Sequence, residues 1–403
     1  KVFQRMLELN WKLNENLNET WIGLFDRPVA GNVSIRDALV FVSKPSLSGT
    51  LKTKIQFPII DFQKSNLSSH CLGFWIAYVR YNDVLVVECI KSQPTWMRDN
   101  LAFIERRTLK EIMIPGSHNA GSYEIGYRRR SANTLKKYAI CHEESVYNQL
   151  VFGIRRYLDI RVSYEEVKDR NETLWIAHGV LRMDISLESV LQQVKQFIEA
   201  TEKEIVILDF HRFEKGFEEN NETILDELIA RHQLVIDLTK KYLRKFLAHR
   251  SDGYDMTIGQ LLQRNQRVII GYDKYNLHGE QFLFPRIKHL WADTDNITRL
   301  EEYFNETLCK ISSPEPQSAM AQLTPTPWGV LFDKYGSIRK MSKKVNPLIS
   351  EWFRERWWGC ANIVSIDFIL SNSIIDTAIK SNRLRYSNDA KSVRKKLKQR
   401  SKS

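Results

Sequence analysis

The chain has 403 residues, of which 43% are hydrophobic and 27% are charged, and its formal net charge is +12. This composition predicts a folded globular protein of about two domains and excludes a disordered or collagen-like chain. No apolar run reaches the roughly 18 residues that a membrane-spanning helix needs, so the sequence predicts no transmembrane segment.

The first hundred residues predict a small antiparallel β-sandwich. Short alternating or β-branched runs, among them WIGLFD, TKIQFPII, GFWIAYVRYN and VLVVECI, are separated by turn residues, a rhythm typical of antiparallel sheets. The five cysteines show neither CxxC nor Cys/His metal spacing, so no zinc site is expected from their spacing. Cys71 and Cys89 flank a predicted hairpin and are the favoured disulfide pair, with buried free cysteines as the alternative.

Beyond residue 100, short apolar strands alternate with longer amphipathic segments, which predicts repeated β/α units. Eight strands are predicted, at residues 111–114, 157–162, 173–177, 205–209, 267–272, 287–291, 318–323 and 362–367. Eight strands close a TIM-type (β/α)8 barrel, and about 270 residues is a usual size for one. The predicted domains are therefore the sandwich at 1–100, the barrel at 101–378 and a tail at 379–403.

Helices are predicted between these strands. One begins after an N-cap at Ser186, with core positions at helical spacing at Leu187, Val190, Leu191, Val194 and Ile198. The long interval before the fifth strand predicts an extra helix within residues 224–247.

The segment 379–403 holds ten Lys and Arg residues and one acidic residue. Such a segment predicts a basic, disordered tail. An anionic membrane surface is one partner that such a tail attracts. Nucleic acid has no other support in the sequence and is not expected as a partner.

Polar residues stand at the ends of four predicted strands. They are His118 and Asn119 after the first strand, Asp159 and Arg161 in the second, His178 after the third and Asp367 at the end of the eighth. In a parallel barrel these ends meet at one mouth, and residues two apart in a strand share a face.

Two histidines, an arginine and carboxylates at one mouth suit the cleavage of a phosphodiester. A neutral imidazole accepts a proton, an imidazolium protonates the leaving oxygen, and a guanidinium stabilises the phosphorane charge. Taken singly, the alternatives are structural histidines, a salt bridge between Asp159 and Arg161, and a helix N-cap at Asp367.

Several segments together resemble the phosphatidylinositol-specific phospholipase C (PI-PLC) X domain-containing proteins. They are IMIPGSHNAGSYEI, FGIRRYLDIRVSY, LWIAHG, EIVILDFHRF, QLTPTPW and NIVSIDF, in family order over residues 101–371. The N-terminal segments ETWIGLFD and PTWMRDN resemble the leading domain of animal members, which suggests an arthropod-type member. The fold implied is a PI-PLC-like barrel, and the activity implied is that of a phosphoric diester hydrolase.

The resemblance also implies roles for individual residues. His118 would be the general base for the inositol 2-hydroxyl, and Asp367 would orient it. His178 would be the general acid for the diacylglycerol oxygen, and Arg161 would bind the phosphoryl oxygens. The substrate implied is a phospholipid or a glycerophosphoinositol.

The family pattern is altered where its calcium-dependent relatives bind their ion. Asn119 and Asp159 remain, but Tyr157 and His211 stand where further acids are expected. One amide and one carboxylate make a poor calcium cage, because that ion usually takes six to eight oxygens. The prediction is catalysis without a metal or other cofactor, with weak calcium binding by Asn119 and Asp159 as the alternative.

Three further residues at strand ends are predicted to contact the headgroup: His211, Tyr272 and Trp291. Their alternative is packing at the barrel rim.

Two rival functions stay open. A metal-dependent glycerophosphodiesterase or sphingomyelinase-D-like enzyme shares the fold, but it would need an acidic magnesium cluster and a His-Arg-Gly start that the chain lacks. The other rival is a catalytically weak member of the family that binds lipid or protein.

Glycosylation sequons favour the secretory pathway, with a cytoplasmic location as the alternative. Seven Asn-x-Ser/Thr sites occur, at Asn18, Asn32, Asn66, Asn171, Asn221, Asn296 and Asn305.

Overall fold

The fold is given by a computed structural model, which describes residues 1–15, 17–62, 67–125, 135–153, 156–218, 225–274, 276, 279–310, 313 and 315–387. The chain forms two compact units, Lys1–Pro94 and Thr95–Ser403. The sequence pattern had suggested a change of domain at residue 100, within the segment that opens the second unit.

The strands in chain order are β1 (Val2–Phe3), β2 (Met6–Lys12), β3 (Thr20–Phe25), β4 (Val40–Ser43), β5 (Ser48–Gln56), β6 (His70–Arg80), β7 (Asp83–Ser92), β8 (Ile114–Ser117), β9 (Tyr157–Tyr164), β10 (Leu174–His178), β11 (Leu181–Ser186), β12 (Val206–Phe213), β13 (Val268–Tyr272), β14 (Leu283–Pro285), β15 (Lys288–Leu290), β16 (Gln317–Met320) and β17 (Ile363–Ile366). The α-helices are α1 (Leu101–Ile104), α2 (Val146–Val151), α3 (Leu187–Ala200), α4 (Leu225–Leu243), α5 (Ile258–Gln263), α6 (Ile297–Thr307), α7 (Pro327–Leu331), α8 (Ile338–Glu355) and α9 (Ile374–Tyr386).

The first unit consists of two antiparallel sheets, which confirms the predicted strand class. One sheet has the order β1-β2-β5 and the other the order β4-β3-β6-β7. Trp21 and Phe25 on β3 pack with Ala77 and Val79 on β6 in a buried cluster, as expected when alternate residues of paired strands share a face. The disulfide between Cys71 and Cys89 joins β6 to β7, as predicted.

The second unit is built on eight parallel strands in one curled sheet. Their order is β14-β13-β12-β9-β8-β17-β16-β15. β14 and β15 are consecutive in the chain, yet they lie at opposite ends of this order. Helices follow most of these strands, which places them on the outside as in other parallel sheets. The predicted barrel class is confirmed.

One predicted strand is antiparallel to its neighbours and is not one of the eight parallel strands. Residues 173–177 fall in β10, which runs antiparallel to β9 and forms a hairpin with β11. The eighth parallel strand is β14, a three-residue segment that was not predicted from the sequence. Apolar alternation is the same for a parallel and an antiparallel strand, so the pattern could not distinguish the two directions.

The predicted helices are present. Ser186 caps α3 by accepting a hydrogen bond from the Ser189 amide, and every residue of the predicted stripe is buried. The extra helix expected within 224–247 is α4.

The C-terminal boundary was predicted too early. Residues 379–386 continue α9, where Ser381, Asn382 and Arg385 are buried, because this helix packs back onto the barrel. Residues 388–403, most of the predicted tail, lie outside the described residues. A second disulfide, between Cys309 and Cys360, was not predicted as a pair. Within the described ranges, no helix is long and apolar enough to cross a bilayer.

Candidate active site

The sheet order brings the predicted site residues together. β8 lies between β9 and β17, so His118, directly after β8, is flanked by Arg161 on β9 and by Asp367 directly after β17. All three strands run in the same direction, and their carboxyl ends therefore meet at one mouth.

His118 is hydrogen-bonded at both ring nitrogens. Its Nδ1 lies 2.9 Å from Asp367 Oδ1, and its Nε2 lies 2.8 Å from Arg161 Nη2. A guanidinium can only donate, so Nε2 accepts and the ring proton sits on Nδ1, from which it is donated to Asp367. This arrangement leaves the basic lone pair of His118 on Nε2.

The turn after β8 is held by contacts to two other strands. Asn119 has a left-handed backbone (φ +42°). Its amide donates to Asp159 Oδ2 at 3.0 Å, and its Nδ2 donates to the Ala177 carbonyl at 3.0 Å. A Cβ on Gly121 would lie 2.7 Å from the Ile176 side chain, so only glycine allows β10 to approach the turn so closely.

β10 carries His178 to the other side of the mouth. The centroids of the His118 and His178 rings are 5.6 Å apart, and His178 Nδ1 donates to the Ala139 carbonyl at 2.8 Å. This bond leaves Nε2 available for a ligand. Burial, together with the positive charge of Arg161 and the His118 ring, lowers the pKa of His178 to about 4.

The buried Asp159 and the partly buried Arg161 form an ion pair on β9, at 3.3 Å between Oδ2 and Nη2. Burial by itself raises the pKa of Asp159, but the charge of Arg161 and of the neighbouring histidines outweighs it, and the pKa lies below its ordinary value. The Nε of Arg161 is buried and has no hydrogen-bond partner within the described part of the chain. A buried N–H donor without a partner is costly, and an anion in the mouth would satisfy it.

Cys141 is the free cysteine of the chain and is fully buried in this site. Its Sγ lies 3.8 Å from His118 Nδ1 and 3.7 Å from His178 Nδ1. Cys141 was not predicted from the sequence, because its loop contains no local cysteine motif. His142, the next residue, donates from Nε2 to the His118 carbonyl at 2.8 Å and so supports the same turn.

A second polar group is formed by residues of β9, β12 and β15. His211 Nδ1 contacts Asp209 Oδ2 at 3.1 Å, and the His211 ring stacks on that of His289 at 3.3 Å. The Tyr157 hydroxyl contacts both Asp209 and His289 at 2.7 Å. Of these residues, only His211 was predicted to contact a ligand. The sequence offered one indication of this second polar group, because His289 falls within the strand predicted at residues 287–291.

The other two predicted headgroup residues are not equivalent. Tyr272 is 1% exposed, its hydroxyl bonds to His232 Nδ1, and its ring packs on Phe210 and Phe213. Tyr272 therefore packs against other side chains, which is the alternative to headgroup contact that the sequence left open. Trp291 is 42% exposed just beyond β15 and donates to Thr324 Oγ1, and its contact with a ligand stays a prediction.

The donor set around Asn119 does not fit calcium. Asn119 Oδ1 and Asp159 Oδ1 are buried oxygens with no partner among the described residues, but calcium takes six to eight oxygens. The Tyr157 phenol on the same strand as Asp159 stays protonated, because burial raises its pKa well above the usual range, with Asp209 adding to the rise. Arg161 also places a positive charge beside Asp159. Catalysis without calcium therefore stays a prediction, which the small number of oxygens around Asn119 favours.

The fold is that of the PI-PLC enzymes. Two variants of the PI-PLC from Staphylococcus aureus match it with TM-scores of 0.52 and 0.53, at 14% and 15% sequence identity. The matches cover 72% of this chain and 98% and 97% of those enzymes.

The sequence relatives agree with this class. The chain is 26% identical over 331 residues to the human PI-PLC X domain-containing protein 1, covering 74% of this chain and 94% of that protein. The zebrafish (Danio rerio) protein of the same name is 23% identical over 297 residues, covering 68% and 91%. Models of known protein families give no match. Over most of its length the chain is thus similar to the PI-PLC X domain-containing proteins, the family that its sequence motifs resemble, while the arthropod type stays a prediction.

Proposed function

We propose that this protein is a phosphoric diester hydrolase that cleaves a phosphoinositide or glycerophosphoinositide diester by histidine acid–base catalysis. The observation that carries the proposal is the arrangement of His118 between Asp367 and Arg161, with His178 facing it across the mouth. These are the groups that in-line attack on phosphorus requires, and no metal is included in the mechanism.

His118 is the proposed general base. Its Nε2 lone pair is held by Arg161 in the free protein. When the phosphodiester oxygens take the guanidinium donors, this lone pair is released and accepts the proton of the inositol 2-hydroxyl. The hydroxyl oxygen then forms the new bond to phosphorus, and Asp367 stabilises the imidazolium through Nδ1–H.

His178 is the proposed general acid. Its Nε2–H donates a proton to the glycerol oxygen as the bond from that oxygen to phosphorus breaks. In the free protein this ring is neutral at pH 7, since its pKa is about 4. A bound phosphodiester brings a negative charge that offsets the charge of Arg161. The pKa of His178 then rises, and the ring becomes protonated so that it can act as an acid. The products are a cyclic inositol phosphate and the glycerol-bearing alcohol.

Arg161 is the proposed phosphate ligand. Its Nε donor is without a partner in the described structure, and its Nη2 donor is directed at His118. Two donors of one planar guanidinium can bind two phosphoryl oxygens, which also supplies the positive charge that a calcium ion supplies elsewhere.

Exposed apolar side chains support a lipid substrate and a peripheral membrane partner. Trp328, Leu331 and Phe332 are 70%, 66% and 74% exposed, and the rings of Trp328 and Phe332 stack on each other. They lie on and just after α7, which follows the carboxyl end of β16 on the side of the mouth. Large exposed apolar groups of this kind mark surfaces that bind lipid or protein.

We propose a secretory location. Five of the seven sequon asparagines are in described segments, and all five are exposed: Asn18, Asn32, Asn171, Asn296 and Asn305. Asn66 and Asn221 lie outside the described residues. Two disulfides, Cys71–Cys89 and Cys309–Cys360, also suit an oxidising compartment.

The test is release of water-soluble inositol phosphate from phosphatidylinositol vesicles and from glycerophosphoinositol. Wild type, His118→Ala and His178→Ala are assayed with calcium and with a chelator. His249→Ala is the matched control, because His249 is exposed and belongs to the same unit.

We expect chelator-resistant release of a cyclic product by wild type and by His249→Ala, and none by the two site variants. Activity that requires calcium would contradict the metal-independent mechanism. Absence of activity from wild type on both substrates would contradict the proposed function and favour a binding protein.

A further inference from the structure

We propose that His118, Cys141 and Asp367 form a site for a borderline transition-metal ion of the Zn²⁺ type, and that this ion switches the histidine base off. One ligand atom from each residue lies within 4.8 Å of the others. The metal would lie behind His118, on the Nδ1 side, while a substrate would occupy the Nε2 side.

The spacing of these atoms suits a tetrahedral ion. Bond lengths of about 2.3 Å to sulfur and 2.0–2.1 Å to nitrogen put neighbouring sulfur and nitrogen ligands about 3.5 Å apart. Cys141 Sγ lies 3.8 Å from His118 Nδ1, and Asp367 Oδ1 lies 2.9 Å from the same nitrogen. Adjustments of a few tenths of an ångström would therefore bring these two distances to values that one ion can bridge, and Cys141 and Asp367 lie within 4.8 Å of each other.

The fourth position would be taken by a water molecule, as in zinc sites that have three protein ligands. His178 Nδ1 lies 3.7 Å from Cys141 Sγ, but this nitrogen already donates to the Ala139 carbonyl.

The chemistry of the ligands selects this class of metal. Thiolate and imidazole favour zinc, cobalt(II) and copper over calcium or magnesium, which prefer oxygen ligands. The second carboxylate oxygen of Asp367, Oδ2, is buried and has no partner among the described residues. An orphaned acceptor of this kind is costly in a folded protein, and a cation beside it removes the cost.

The second histidine cluster is a weaker candidate for a metal. Asp209 Oδ1 accepts from the Ile287 amide, and Asp209 Oδ2 accepts from the Tyr157 hydroxyl and faces His211 Nδ1. Both carboxylate oxygens of Asp209 therefore already have hydrogen-bond partners, whereas Asp367 Oδ2 has none among the described residues.

Occupation of the site would change the protonation of His118. A metal on Nδ1 displaces the proton from that nitrogen, and a neutral ring then carries its proton on Nε2. Nε2 can no longer accept the proton of a substrate hydroxyl, and Asp367 is withdrawn from its hydrogen bond. The metal is therefore an inhibitor, a consequence that rests on the proposed function, whereas metal binding itself does not.

Binding is tested by titrating the full chain with Co²⁺ and following the near-ultraviolet absorbance of a thiolate bound to cobalt. We expect one Co²⁺ per chain with this band in wild type and in His289→Ala, which removes the other cluster. Cys141→Ser should lack the band, and circular dichroism of that variant verifies its fold. Absence of the band from wild type, or its persistence in Cys141→Ser, would overturn the proposal.

Inhibition is tested by adding Zn²⁺ to the phosphodiesterase assay and comparing each protein with its own metal-free rate. Loss of an outer-sphere partner already costs about 10- to 100-fold in metal affinity, so loss of the thiolate should raise the half-inhibitory Zn²⁺ concentration at least about tenfold. Equal sensitivity of wild type and Cys141→Ser would contradict the switch. A cobalt band in a protein that cleaves neither substrate would refute the proposed function and leave the metal site standing.

Discussion

Asn382 on α9 makes a paired hydrogen-bond contact with the backbone of Met113, 269 residues earlier in the chain. Its Oδ1 accepts from the Met113 amide at 2.7 Å, and its Nδ2 donates to the Met113 carbonyl at 2.9 Å. Both residues are fully buried. The last helix therefore completes the hydrogen bonding of the chain directly before β8, the strand that presents His118.

This contact predicts a large stability effect. Asn382→Ala leaves a buried N–H and a buried carbonyl unpaired, at about 1–3 kcal/mol each. We expect the free energy of unfolding to fall by about 2–4 kcal/mol, measured by urea denaturation. Lys380→Ala, an exposed position on the same helix, is the control and should have little effect. Similar midpoints for the two variants would refute the role of Asn382.

Asp367→Asn should slow catalysis while leaving substrate binding nearly unchanged. The amide can donate to His118 Nδ1 and so favour the tautomer that carries its proton on Nε2, which cannot act as a base. By analogy with other carboxylate–histidine pairs, kcat should fall on the order of 10³- to 10⁴-fold. Asp184→Asn, at an exposed carboxylate, should keep wild-type kcat. A change confined to KM would count against this role.

The pKa of His178 should depend on the ligand. It is about 4 in the free protein, because burial, the charge of Arg161 and the His118 ring disfavour the imidazolium. A bound phosphate favours the charged ring, so the pKa should rise by about one unit or more. Titration of the ring signals by NMR, with and without inositol phosphate, measures it. His178→Asn assigns the signal, and an unchanged or lowered pKa would exclude the proposed loading of the acid.

The exposed aromatic pair predicts a difference between lipid and soluble substrates. Trp328→Ala with Phe332→Ala removes apolar area that an acyl layer would bury, so binding to phosphatidylinositol vesicles should weaken about tenfold or more. Cleavage of glycerophosphoinositol should be unaffected. The control is a second double variant, Leu85→Ala with Val86→Ala, which removes exposed apolar surface from β7. Equal vesicle binding by the two double variants would remove the membrane role from this surface.

The exposed sequons predict N-linked glycans on protein made through the secretory pathway. Treatment with an N-glycosidase should increase electrophoretic mobility, and Asn→Gln changes at the five exposed sites should reduce that shift stepwise. At Asn296 the glycan would attach to Nδ2, while Oδ1 caps α6, so the two roles are compatible. Protein made without a leader serves as the unglycosylated control. Secreted protein that shows no shift would contradict the prediction.

The sequence predicted those parts of the site that repeat a local pattern. Asp159 and Arg161 were assigned to one face because strand alternation is strict, and the turn around His118 was located by the glycines that flank it. The strand before His118 was placed three residues early, since its segment IPGS carries no run of strand-forming side chains. The three residues of β14 were too few to show any period.

The residues that were missed depend on distant parts of the chain. Cys141 reaches the two histidines only because its loop passes over the mouth, and no spacing in the sequence encodes that path. His289 stacks on His211 across strands that are far apart in order. Tyr272 stands at a strand end like the site residues, yet its side chain turns into an aromatic cluster, because an end position does not determine which face a residue occupies.

The hairpin formed by β10 and β11 carries the proposed acid, His178, whereas the proposed base, His118, follows the parallel strand β8. His118 and Asp367 are tied to neighbouring parallel strands, where a shift of register would disturb the whole sheet. His178 instead sits near the tip of an excursion that leaves β9 and returns to α3, and changes in the length of that tip are absorbed locally. A protein built in this way can adjust its proton donor to a leaving group of different size without redesigning the scaffold, which makes the hairpin the natural place to alter substrate choice by engineering.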